Sequence, residues 1–498
     1  MSDSSAPQAT GHRSEPVLIE KSVRGRRGVR PPSPQGPLGP LEEMLPGVEL
    51  RTDLPLPELS ELDVVRHYTA LSRRNYGIDA GFYPLGSCTM KYNPRANECA
   101  ARSPGWARLH PLTPPAAVQG ALQLMYELNC FLAEVAGMAA ATIQPAAGAH
   151  GETLSLMMVR AYHRSRGDME RTSVLIPDSA HGTNPASAAL CGFQVRPITS
   201  DADGLSDTRH LRELVGADTA AVMLTNPNTL GLFESRIAEI CAVVHDAGGL
   251  VYCDGANMNA LLGVARPGEM GFDVMHFNLH KTFGTPHGGG GPGCGAIAVG
   301  SVLEPFLPVP VVVRRGNALY DLCHDRPLSV GRVHSFYGAF LNAVRGYAYI
   351  RSLGPDGLRE VARHAVLNAN YVRARIGGAY EIPHNRLCMH EVVASASRLK
   401  RRFGVRAMDV SKRLMDHGFH PPTNYFPLIV SEALMIEPTE TESKQTIDAF
   451  CDALIAIAAE AETDPEVVRG APYSTPVRRP DETAAVKRLD VRWGSSGQ

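Results

Sequence analysis

Between about Gln119 and Gly300 short apolar runs alternate with stretches of helical periodicity, and this alternation constrains the fold more than any other feature of the chain. Residues 173–177, 220–225, 249–253, 274–278 and 295–299 read as buried strands. Between the second and third, Ile237, Ile240, Cys241 and Val244 fall on one face of a crossover helix that ends at Gly248-Gly249. Strand, helix, strand in this order predicts an α/β domain built on a mostly parallel sheet with helices on both faces. Ligands of such sheets sit beyond the carboxyl ends of the strands. Each of the first four runs leads into a polar or glycine-rich segment: His181 and Asn184, then Asn226 and Asn228, then Asp254 and Asn257, then His280 and Lys281. Four clusters distant in sequence are therefore expected on one rim.

The rest of the chain frames this domain. Residues 1–60, rich in Pro, Gly, Ser and Arg, cannot hold a helix through the run 31–40 and read as an extended arm. Residues 61–117 form a helical and loop segment, in which GFYPLGSCTMKYNP is too apolar to float free and suits a buried or site-lining loop. The large α/β domain spans 118–327. Residues 328–498 open with a helix through SFYGAFLNAVRGYAYIRSLG and suit a smaller C-terminal α+β domain with a tail.

Charge and cysteine usage narrow the partners. Lys plus Arg number 49 against 51 Asp plus Glu, which leaves no footprint for nucleic acid or an anionic membrane and favours a small-molecule substrate. The ten cysteines show neither a CxxC pair nor a tight His/Cys spacing, so no metal site is expected, and free thiols fit a reducing cytosol. No segment has the apolar length of a membrane span or signal peptide, and Asp3, Glu15 and Glu20 do not suit a transit peptide. The expected location is cytoplasmic.

The sharpest local signal is the run from Phe277 to His287, with Lys281 at its centre, followed by the glycines 288–291. A lysine just past a buried strand can be desolvated, which gives the neutral amine that Schiff-base chemistry needs. A solvated loop lysine is the competing reading. A P-loop is excluded, because His280 stands where that motif needs glycine. Asp254 closes the preceding run and could pair with a protonated pyridine nitrogen, or serve as a turn aspartate before Gly255. His181 could lie flat on a planar cofactor, or be a hydrogen-bonded structural histidine. The small residues Ala146 to Ala149 precede a helical run at 153–162, whose positive end could hold phosphate or simply pack closely. The glycines 288–291 would permit close backbone approach.

Taken together, IQPAAGAHGE, IPDSAHGTNPASA, LTNPNTLGLFE, CDGANMNA and NLHKTFGTPHGGGGPG resemble the glycine-cleavage P-protein family, and in particular its split form, in which two homologous halves are separate chains. The resemblance runs from about Glu20 onward and includes GFYPLGSCTMKYNPR, SVGRVHSFYGAF, MIEPTETESK and APYSTPVRRPDET. It implies a type I pyridoxal-phosphate-dependent transferase fold, with the cofactor carried covalently on Lys281, Asp254 opposite the pyridine nitrogen and His181 stacked on the ring. By analogy within that fold, Asn278, Gly148 and Ala149 would hold phosphate, Asn226 the ring hydroxyl, and Ala256 the face opposite His181. It further implies decarboxylation of glycine, transfer of the aminomethyl group to the lipoyl arm of the H-protein, and assembly with the homologous first subunit, two copies of each. Cys294, His334 and the segment 314–317 depart from the family pattern and bear on details of the substrate pocket. The rival readings are a decarboxylase of the same cofactor class that protonates its carbanion, and a non-catalytic scaffold half.

Overall fold

Seven strands make one sheet: β1 (Ala140–Thr142), β2 (Ser173–Pro177), β3 (Gln194–Ile198), β4 (Thr219–Thr225), β5 (Leu250–Gly255), β6 (Val274–Asn278) and β7 (Gly295–Val299). The computed structural model describes residues 15–491 except 31, 34, 52, 53, 55, 288–292 and 317–318. The strand order is β1-β7-β6-β5-β4-β2-β3. From β3 through β6 every pairing is parallel, whereas β7 is antiparallel to both β6 and β1. The five strands expected from the sequence are all present to within two residues. β3 went unread because its polar Gln194, Arg196 and Pro197 suit a half-exposed edge, where a missing N–H is tolerated. β1 has only three residues, too few to show a period.

Alternation along the strands explains their apolar character. In β5, Val251 and Cys253 join the core that contains the helices Gln119–Ala136 and Ile237–Asp246, whereas Leu250 and Tyr252 join the core of the helix Gly148–Ser165. In β4, Val222 and Leu224 divide in the same way from Ala221 and Met223. A strand covered on both faces must be apolar at every position, and each large side chain gains about 1.5–3 kcal/mol by burial. Ile237, Ile240, Cys241 and Val244 are all buried, and the chain turns after their helix at Gly248, whose φ is 79°.

Beyond the sheet come a hairpin of β8 (Val311–Arg315) and β9 (Leu319–Cys323), then the helix Phe340–Ile376, which breaks at Gly354 before Pro355. The expected helix from Ser335 therefore starts later, at Phe340. A small antiparallel sheet follows, ordered β10 (Val392–Ser395), β12 (Ala433–Ile436), β11 (Thr423–Asn424), its core shared with the helices Ala407–Asp416 and Lys444–Thr463. All of this lies in one compact unit, residues 81–473. A second unit comprises the described parts of the two ends, where the helix Glu61–Ser72 is fixed by a capping box of Ser60 and Asp63. Among the described residues no helix is long and apolar enough to cross a membrane.

Candidate active site

The alternation in β5 that turns Leu250 and Tyr252 toward the Gly148–Ser165 helix turns Asp254 the same way, and parallel register sets Asp254 beside His276 of β6. His276 Nε2 is 3.4 Å from Asp254 Oδ1, and its Nδ1 shares a hydrogen bond with the Tyr252 hydroxyl. Asn184 Nδ2 donates to Asp254 Oδ2 at 2.9 Å, and the Ala256 N–H donates to Oδ1 at 3.0 Å. Burial raises the Asp254 carboxyl, but the field of His276, these two donors and Lys281 outweigh it and hold the group below the ordinary aspartate range. A nearly inaccessible carboxylate thus stays ionised.

Lys281 lies in a single helical turn, Leu279–Thr282, directly after β6, where a loop was expected. It is half-buried, and its Nζ has no hydrogen bond or ion pair among the described residues. The turn is clamped from behind. Lys91 Nζ donates to the Thr282 carbonyl at 2.5 Å, to Asn259 Oδ1 at 2.9 Å and to Glu440 Oε1 at 2.7 Å, with the Tyr349 hydroxyl at 3.1 Å. The neighbouring His280 is pushed down to about 4 by burial, His287 and Lys281, so its ring is neutral at pH 7.

The helix Gly148–Ser165 begins at Ala147 with no side-chain cap, which leaves the N–H groups of its first turn for a ligand. A Cβ on Gly148 would sit 2.0 Å from Asn278 Oδ1, itself a buried atom without a hydrogen-bond partner. Glycine here keeps a cradle open at the positive end of the helix. A cavity of about 240 Å³ runs across this ground, lined by Lys281, Asp254, His181, Ala256, Asn278, Gly148 and Ala149. Seven of the eight residues singled out from sequence thus converge. Asn226 does not line the cavity: its Oδ1 accepts from the Glu234 N–H at 3.0 Å, and its buried Nδ2 has no partner. His181 is exposed on the rim, where its Nδ1 meets Thr183 Oγ1 at 2.9 Å and its ring stands edge-on to Phe426. The glycines 288–291 lie outside the described residues. Cys294 is fully buried, and burial pushes its thiol up to about 12, so it is inert at neutral pH.

Sequence reasoning missed several lining residues. Glu152 receives Thr183 Oγ1 at 2.8 Å and Ser187 Oγ at 2.9 Å, which ties the helix carrying the cradle to the segment carrying His181. His276 carried a readable signal, a histidine between apolar residues of a buried strand. Thr229 carried none of its own, whereas Asn257 reaches the cavity as the rim position after its strand predicted, and Ser87 as part of the segment expected to line the site.

The pattern of the glycine cleavage system P-protein family matches residues 44–315, and that of the glycine dehydrogenase C-terminal domain matches residues 361–471. The chain belongs to the glycine cleavage system P-protein family. It is 56% identical over 483 residues to a probable glycine dehydrogenase (decarboxylating) subunit 2 of Halalkalibacterium halodurans, covering 97% of this chain and 99% of that one. A protein of the same description from Exiguobacterium sibiricum is 58% identical over 482 residues, covering 96% and 98%. Among solved structures, an inhibitor-bound glycine decarboxylase (P-protein) superposes with a TM-score of 0.70 at 23% identity, over 84% of this chain and 94% of that one. The Oryza sativa TDC, solved with PLP and tryptamine, gives 0.63 at 16% identity, over 87% and 93%. The chain therefore has the type I pyridoxal-phosphate-dependent fold expected from its sequence.

Proposed function

We propose that this P-protein chain is the catalytic half of a glycine decarboxylase, that it carries pyridoxal phosphate covalently on Lys281, and that it passes the aminomethyl group left by decarboxylation to the lipoyl arm of an H-protein. The observation that carries this reading is the meeting of three features in one cavity: a half-buried lysine without a partner, an ionised buried carboxylate and an uncapped helix start widened by Gly148. Those features fit the cofactor, since they supply an amine, a counter-charge for a pyridinium and donors for a phosphate. When bound, pyridoxal phosphate supplies a sink for the electron pair that CO2 leaves behind.

The residues divide the remaining work. Lys281 Nζ would hold the cofactor. Asp254 keeps a proton on the ring nitrogen, because a carboxylate held ionised favours the pyridinium beside it. Its own orientation is fixed by Asn184 and Ala256. Gly148 and Ala149 offer N–H groups to phosphate, with Asn278 alongside. His181 and Ala256 line the cavity and would cover the two faces of the ring, whereas Asn226, outside the lining, is not assigned to the ring hydroxyl. The exposed position of His181 leaves the rim open to a protein-borne lipoyl arm.

The description of the relatives as subunit 2 supports a homologous subunit 1 as the partner that completes the enzyme; the proposed assembly holds two copies of each and is cytoplasmic. The test is glycine-dependent exchange of labelled bicarbonate with the lipoyl carrier present. The chain alone is expected to exchange poorly, and the chain mixed with subunit 1 fully. Full exchange by the chain alone, or exchange without any lipoyl carrier, would overturn the partner and acceptor assignments respectively.

A further inference from the structure

Close to the cavity lies a second cluster of titratable groups that the reading above does not use. Antiparallel register pairs Val392 of β10 with Ile436 of β12, so the residues just outside that pair, Glu391 and Glu437, stand opposite each other at the end of the small sheet. Both side chains, and that of His390, are 0% exposed. Like charges directly opposite on neighbouring strands destabilise a sheet, and two buried carboxylates cannot both stay ionised cheaply.

The surroundings are built to hold the pair. The Ser87 N–H donates to Glu391 Oε2 at 2.8 Å. Thr89 donates to Glu437 twice, from its N–H to Oε2 at 2.9 Å and from its hydroxyl to Oε1 at 2.5 Å. Ser87 and Thr89 adopt positive φ angles of 62° and 46°, a conformation that costs a non-glycine residue energy and is kept where a specific contact demands it. One carboxyl oxygen, Glu391 Oε1, has no hydrogen-bond partner, nor does either ring nitrogen of His390. His390 Nε2 lies 3.8 Å from that oxygen and 4.0 Å from Glu437 Oε1. An unpaired ring nitrogen therefore faces an unpaired carboxyl oxygen at 3.8 Å, beyond hydrogen-bond distance, and both are open to a proton. Ser87 also lines the cavity that holds Lys281, and Lys281 acts electrostatically on Glu391, Glu437, His390 and Cys88 alike.

We propose that Glu391 and Glu437, with His390 between them, form a proton-holding pair that serves Lys281. The proposal rests on the assignment of Lys281 above. Glycine arrives as an ammonium ion and must shed one proton to become a nucleophile; the pair takes that proton. Lys281 Nζ, once released as a neutral amine, would take that proton back from the pair and stand as an ammonium. The exchange conserves protons, and the pair acts through Lys281 as a positioning and buffering device.

Electrostatics agree with the geometry. Burial pushes Glu437 up to about 7 against the opposing Thr89 donors and Lys281, with Glu440 adding to the rise. Burial and the neighbouring Glu437 hold Glu391 well above the carboxylate range, so it keeps its proton at neutral pH. Burial and Lys281 push His390 down to about 3, leaving a neutral ring able to accept. Burial likewise raises Cys88, which stays a thiol.

The test uses the full chain. Infrared difference spectra recorded from about pH 5 to about pH 9 read protonated buried carboxyls directly. The unaltered chain is expected to lose one such carboxyl with a midpoint near 7, and Glu437→Gln to lose that transition. The absorbance of the cofactor-loaded chain should show an inflection at the same pH, absent in Glu437→Gln. Should that variant fail to fold, Thr89→Val removes one donor to the carboxylate and should move both transitions upward by roughly one unit. Absence of a carboxyl transition near neutrality, or an absorbance titration unchanged in Glu437→Gln and Thr89→Val, overturns the proposal. Borohydride labelling of the same samples separates the two claims: label on Lys281 without the carboxyl transition overturns only the pair, whereas a carboxyl transition without label on Lys281 overturns the assignment of Lys281 and with it the role proposed for the pair.

Discussion

Replacing Asp254 by Asn separates charge from shape at the point where the proposed chemistry depends on charge. The carboxylate accepts from Ala256 N–H on one oxygen and from Asn184 Nδ2 on the other. In Asp254→Asn the amide oxygen can keep the Ala256 bond, while the new NH2 faces the NH2 of Asn184. That conflict is relieved if Asn184 turns its amide over, so the structural cost should stay near that of one hydrogen bond, about 1 kcal/mol. The catalytic cost should be larger. Losing a preorganised charge opposite a developing electron sink is worth about 2.7–4 kcal/mol, or about a hundredfold to a thousandfold in rate. The assay is glycine-dependent bicarbonate exchange by the assembled enzyme, with cofactor content measured by absorbance and stability by urea unfolding. A folded, cofactor-loaded variant that exchanges within about threefold of the unaltered enzyme would refute the role of Asp254, since that is less than 1 kcal/mol of barrier.

Two further substitutions test the framework around the site. Lys91→Met leaves the buried Glu440 without its cation and should destabilise the chain by about 3–5 kcal/mol in urea unfolding, most of it recovered in Lys91→Met with Glu440→Gln; a loss under about 1 kcal/mol would show that the clamp is idle. Gly148→Ala places a methyl against Asn278 and should weaken cofactor binding at least about tenfold in an absorbance titration while leaving the secondary structure intact; unchanged binding would move the phosphate elsewhere.

The sheet was legible because β2 and β4 to β7 are covered on both faces, so their sequences are apolar at consecutive positions and stand out from the helices between them. Lys281 and Asp254 were legible for the same reason, as polar residues at the end of such runs. What pairing and register create was not legible. The contact of Asp254 with His276 depends on how β5 lies against β6, and the facing of Glu391 and Glu437 on how β10 lies against β12. Lys91 sits in a segment recognisable as buried, but its partners Asn259, Thr282 and Glu440 come from three distant parts of the chain. Asn226 shows the converse: its place after a strand predicted the rim, yet its side-chain oxygen is taken by the Glu234 N–H and it lies outside the cavity lining.

The central claim is that Lys281 carries the cofactor. Borohydride reduction of the cofactor-loaded chain, followed by proteolysis and mass mapping, tests it most directly, because reduction fixes the cofactor to whichever amine holds it. The account predicts a single label on the peptide containing His280-Lys281-Thr282, and loss of that label in Lys281→Ala. A label on another lysine, or an unlabelled chain that still exchanges bicarbonate with glycine, would contradict it.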